Sequence, residues 1–202
     1  MPEDAQEDID DYVAVCPISP QLALQIVSLA DLSWDDPKFI DQAMRSLGWR
    51  DDEIPIDEGR FVTGQGHIVY GDNCFYMPFS QSYWVGGEVW GYDAWGSLPG
   101  WSSRKGAARA EFDAHLDAAV DRFAERLGEP ECDVRTEGST VSTGPYSWRY
   151  AAWRRCGNAL VVGQTLEGFS YSQFEEAVVY IGALAEETPF PQADKFPDFI
   201  TW

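Results

Sequence analysis

One segment of this chain keeps an unbroken helical rhythm. In KGAARAEFDAHLDAAVDRFAERLG (105–128), Phe112, Leu116, Ala119, Val120, Phe123 and Leu127 fall at i, i+4, i+7, i+8, i+11 and i+15, with Gly128 and Pro130 to stop the helix. On both sides of it the pattern changes to short aromatic and β-branched runs punctuated by glycine. An amphipathic helix must bury its stripe, and here the available surface is sheet. The chain is therefore expected to be α+β, with a mainly antiparallel β-sheet built from hairpins and helices packed on it.

The remaining segments fill in that outline. SPQLALQIVSLADL (19–32) reads as a helix with Ser19 as N-cap and Pro20 in its first position. DDPKFIDQAMRSLGW (35–49) reads as a second, entered through Asp36-Pro37 and ended by Gly48. Two β-type runs, RFVTGQGHIVY and CFYMPF, are joined by GDN. In SYWVGGEVW a Gly86-Gly87 turn would pair Trp84 with Val89 and Tyr83 with Trp90. A second hairpin turning at Gly157-Asn158 would set Trp153 opposite Val162 and Arg155 opposite Leu160. YSQFEEAVVYIGALAEE (171–187) reads as a helix, and PFPQADKFPDFITW as an extended tail. These readings give an acidic N-terminal tail over 1–18, one domain over 19–188, and a tail over 189–202. Similar halves at 19–100 and 101–188 are suggested by a recurring order of helix, Leu-Gly, loop and strands.

Charge limits the company such a chain can keep. There are 34 acids against 14 bases in 202 residues, a net of −20. Residues 1–60 hold 15 acids and 4 bases. A field of that sign repels nucleic acid and anionic membranes and attracts basic surfaces. The first twelve residues carry six acids and no base, the opposite of a secretory leader, and no apolar run is long enough to span a bilayer. A soluble, cytoplasmic protein is expected. Cys16, Cys74, Cys132 and Cys156 form no CxxC pair, which argues against zinc and redox sites and for small buried hydrophobes.

Catalytic motifs are missing. There is no P-loop, dinucleotide fingerprint, HExxH, EF-hand loop or GxSxG. Ser102-Ser103-Arg104-Lys105 has S-x-x-K spacing without its companion motifs, and a Ser-rich helix entry accounts for it better. His115 reads as a surface residue, and His67 as a base with no nucleophile placed to use it. Glu88 and Asp93 among tryptophans imitate a glycosidase pair, but nothing marks them as tuned carboxylates. Neither an enzyme nor a cofactor is expected.

A small, acidic, Trp-rich α+β chain of this kind resembles the immunity proteins of bacterial polymorphic toxin systems. The resemblance is one of composition and architecture. It implies a protein that binds and blocks a cognate toxin, here one with a basic, nucleic-acid- or nucleotide-directed surface, without touching nucleic acid or membrane itself. Acids would speed the encounter and aromatic side chains would anchor it. Asp51, Asp52, Glu53, Asp57 and Glu58 form the densest acidic cluster; Trp90, Tyr92, Trp95 and Trp101, in a glycine-rich stretch, are the candidate anchors. Two alternatives use the same residues: an acidic nucleic-acid mimic, and a carbohydrate-type ligand module built on the tryptophans.

Overall fold

The computed structural model describes residues 10–52, 60–85, 93–136, 146–166 and 174–201. In chain order the elements are β1 (Asp10–Val15), α1 (Pro20–Ala30), α2 (Pro37–Ser46), β2 (Arg50–Asp51), β3 (Phe61–Val62), β4 (Ile68–Val69), β5 (Phe75–Val85), β6 (Ser102–Lys105), α3 (Arg109–Leu127), β7 (Cys132–Arg135), β8 (Arg149–Arg155), β9 (Asn158–Leu166), β10 (Glu175–Ala183) and α4 (Phe196–Phe199). Seven strands form one antiparallel sheet in the order β6-β1-β5-β10-β9-β8-β7, and β2-β3-β4 form a small second sheet. The fold is α+β. Among the described residues no helix is long and apolar enough to cross a membrane.

The helices start where their caps dictate. Ser19 Oγ accepts from the Leu22 N–H at 3.1 Å, and Asp36 caps α2 through the Lys38 N–H at 3.1 Å. α3 lays Phe112, Leu116, Val120 and Phe123 on one face of the large sheet, against Phe75, Met77, Phe79, Val162, Val179 and Ile181, with Ile26 and Leu29 of α1 in the same core. Fully burying each such side chain contributes about 1.5–3 kcal/mol. The opposite face carries Tyr76, Tyr150, Val161, Val178 and Tyr180 under Phe196 and Ile200. The Phe196 ring stacks on Tyr150 at 4.6 Å, so the C-terminal segment is part of the core rather than an extended tail.

Four further expectations are corrected. Residues 175–183 are a strand, not a helix: β10 lies between β5 and β9 and is buried on both faces, which erases the alternation that marks a half-exposed strand. Residues 10–15 of the acidic tail are β1, hydrogen-bonded between β5 and β6. The second hairpin turns at Cys156-Gly157, both with positive φ (46° and 86°), so Trp153 faces Leu160 and Arg155 faces Asn158. That moves the pairing by two residues and leaves every side chain on its expected face. Finally, of the strands that follow α2 in the first half, β2, β3 and β4 make the small sheet and only β5 joins the large one, whereas every strand after α3 joins the large one, so the two halves are not paired alike.

β5 is one long strand, with Trp84 opposite Asp11 of β1. The Gly86-Gly87 turn, Glu88 and Val89 lie outside the described residues. Pro78 sits beyond the β1 pairing and beside a bulge at Phe79, where a missing N–H is tolerated.

Candidate functional site

An open cleft of about 530 Å³ lies where the small sheet meets the loop between Trp95 and Trp101. Arg50, Asp51 and Asp52 form one rim, Val62 at the end of β3 and residues 63–66 of the β3–β4 connection the floor, and Leu98–Gly100 the other rim. The sequence separates these walls widely; two backbone contacts bring them together.

The floor is set by a tight turn. Thr63 N–H donates to His67 O at 2.9 Å, and Thr63 Oγ1 accepts from the backbone N–H groups of Gln65 and His67. Gly66 and Gly100 then meet the opposite loop backbone to backbone. A Cβ on Gly66 would collide with Pro99 O, and one on Gly100 with Gln65 O, while both residues hold positive φ (100° and 85°). Trp101 closes the junction by donating its indole N–H to Gly66 O at 3.2 Å.

Beneath the floor, His67 is wholly buried. Its Nε2 donates to Cys16 O at 2.7 Å, which leaves Nδ1 as an acceptor facing Thr63 Oγ1 at 3.2 Å and Cys16 Sγ at 3.6 Å. Burial lowers the His67 pKa to about 4 and raises the Cys16 thiol to about 12. The sequence reading missed this Cys–His contact because 51 residues separate the pair. A cysteine nucleophile needs a depressed pKa and access; burial acts on Cys16 in the opposite direction, so the pair braces the cleft as neutral groups.

The acidic rim is open. Asp51 has an exposed side chain (62%) and pairs with Arg45 at 2.6 Å; that hydrogen bond holds its pKa below the ordinary range. Asp52 is half-buried, its N–H donating to Arg60 O at 3.1 Å. Arg60 anchors the neighbourhood through ion pairs to Asp41 and to Asp72 (3.2 Å) and through a hydrogen bond to Gly71 O (2.8 Å). Glu53, Asp57 and Glu58 lie outside the described residues.

The aromatic candidates divide. Trp101 is 7% exposed, in a third core with Ala14, Cys16, Tyr83 and Phe174, so it is not a surface anchor. Its fixed contact with Gly66 explains why: the loop folds back over β1 and β5. Trp95 is half-buried and packs on Trp101 at 4.9 Å between ring centroids. Trp90 and Tyr92 lie outside the described residues. Asp93, considered above as a catalytic carboxylate, accepts from Tyr83 OH, Ser103 Oγ and the Gly96 N–H. Burial would raise its pKa, but those three donors together hold it below the ordinary carboxylate value.

Other motif residues also have structural duties. Ser102–Lys105 is the edge strand β6 rather than a helix entry, with Lys105 paired to Asp10 at 2.6 Å. His115 is half-buried, its Nδ1 at 3.1 Å from Ser80 Oγ. Cys16 is buried, Cys74 and Cys132 are half-buried, and Cys156 is exposed, so not all the cysteines are core hydrophobes.

Two buried carboxylates are hidden in the sequence, where the segment carrying them reads as a helix. Glu175 pairs with Arg109 at 2.5 Å and accepts the Trp148 indole N–H at 3.1 Å, while burial raises its pKa. Glu176 points to the other face, accepting from Tyr76 OH and from Gln81 Nε2 at 2.8 Å. As neighbours on one strand they face apart and cannot act on one bond. No family model, curated protein or solved structure matches this chain.

Proposed function

We propose that this protein is an immunity-type inhibitor that binds and neutralises a bacterial toxin through its acidic cleft. The observation that carries the reading is the convergence of Asp51, Asp52 and the Leu98–Gly100 loop on one open cleft. Two carboxylates beside Arg50 on one rim, over a polar floor, suit a cationic side chain of the partner, which would displace Arg45 from Asp51 at little cost because exposed ion pairs contribute only about 0–1 kcal/mol. The net charge of −20 adds long-range attraction toward a basic surface, as expected for a toxin that acts on nucleic acids or nucleotides.

The test is capture from a lysate of the source organism, with wild-type protein and the Asp51→Asn/Asp52→Asn variant as parallel baits and mass spectrometry as readout. The reading expects a basic protein retained by the wild type at low salt, eluted as salt rises, and much reduced on the variant. Equal retention of the same partner by both baits would remove the cleft from the interface.

A further inference from the structure

The large sheet ends at β7, a strand of four residues with alternating half-buried and exposed positions. Its hydrogen-bond parity can be read from its neighbour. Thr136 N–H donates to Trp148 O at 2.8 Å, and Val134 lies opposite Tyr150. Residues 132, 134 and 136 therefore turn their backbone groups toward β8, and Asp133 and Arg135 turn theirs outward. Among the described residues no strand pairs with that outer edge.

The side chains at the edge limit what can dock there. Asp133 and Arg135 stand on the helix-covered face, with Arg149 linking Asp133 (2.7 Å) and Asp117 (2.6 Å) and Arg135 at 3.7 Å from Asp117. The four side chains carry no net charge, in contrast to the rest of the molecule. Asp133 remains 41% exposed and Arg135 54%.

We infer that β7 pairs antiparallel with β7 of a second copy of this chain, about a two-fold axis at Val134, joining the two large sheets edge to edge. Only this register matches both requirements. It sets Asp133 opposite Arg135 of the other copy twice over, so the outward N–H and C=O groups of both chains are satisfied and both of these pairs join opposite charges. A register centred on residue 133 would oppose two aspartates, and one centred on 135 two arginines. Val134 meets its own counterpart as a non-hydrogen-bonded pair, Cα atoms about 4.5 Å apart. Cys132 falls opposite Thr136, so the native cysteine forms no bridge across the axis. So short a contact makes a weak, transient dimer. It also acts against the repulsion between two copies each carrying −20, so self-association strengthens as salt screens that repulsion.

The experiment combines sedimentation velocity with cross-linking. Wild-type protein is run from micromolar concentrations to about 1 mM, the weak end of specific association, in low salt and in about 0.5 M NaCl, where screening is short-ranged. A dimer fraction that grows with concentration and with salt is expected. Arg135→Glu should weaken it by about tenfold or more, on the scale of 1.4 kcal/mol per decade. In a Cys132→Ser background, Val134→Cys should form an intermolecular disulfide about tenfold faster than Arg135→Cys, since only 134 faces itself across the axis. Circular dichroism melts confirm that each variant is folded. A chain that stays monomeric throughout, or cross-linking at 135 as fast as at 134, overturns the inference; so does an edge occupied only by a different protein.

Discussion

Replacing Gly100 by Ala probes the joint that makes the cleft. Two costs act there and can be separated. Gly106 also has positive φ (67°) but open space around its α-carbon, so Gly106→Ala isolates the backbone strain, about 1–2 kcal/mol. Gly100 has the same kind of φ (85°), and its new methyl would run into Gln65 O. Relieving that collision requires the two loops to part. The Trp101–Gly66 hydrogen bond is then lost, about 1 kcal/mol, and part of the buried Trp101 ring is exposed for a further cost of about 1 kcal/mol. Gly100→Ala should therefore cost about 2 kcal/mol more than Gly106→Ala. With a urea m-value of about 2.5 kcal/mol per M, its denaturation midpoint should fall about 0.8 M below that of the control, at unchanged m. Coincident midpoints for the two variants would refute the backbone clasp as the element that holds the cleft.

Further outcomes follow from the buried groups. The His67 pKa falls from 6.5 unfolded to about 4 folded, so its share of stability is full above pH 6.5 and is lost as pH falls toward 4; the unfolding free energy from urea titration should drop over that window, by roughly 3 kcal/mol in all, and His67→Gln should flatten the drop. Arg109→Leu strands Glu175 in the core and should cost about 3–5 kcal/mol in chemical denaturation, with much of the loss recovered by adding Glu175→Gln. In the native protein Cys156 should react readily with a thiol reagent while Cys16 waits for unfolding; equal rates would contradict the burial of the Cys16–His67 brace.

Features written in local chemistry were legible in the sequence. Ser19, Asp36 and the stripe from Phe112 to Phe123 fix three helices because caps and 3.6-residue spacing are properties of neighbouring residues. The misreading at 175–183 has a physical source: FEEAVVYIGA is an unbroken apolar run after two acids, and a strand buried on both faces presents no period at all. The acids that made it look like a solvated helix start are buried, each satisfied by partners on distant elements. β1 was hidden for a similar reason, since its two leading aspartates mask a strand whose partners lie about seventy residues away. As for the site, the acidic rim and the aromatic loop were both visible as compositional clusters. Their meeting was not, because it depends on two glycines touching opposite backbones, and nothing in the local sequence sets these two apart from the chain's other glycines.

The most direct test of the cleft as the binding surface is amide hydrogen exchange on the protein alone and in complex with the partner captured from lysate. Slowed exchange concentrated at 50–52, 62–66 and 98–101 is the result expected here. Protection confined to the outer surfaces of α1 and α3, with those three segments unchanged, would contradict it.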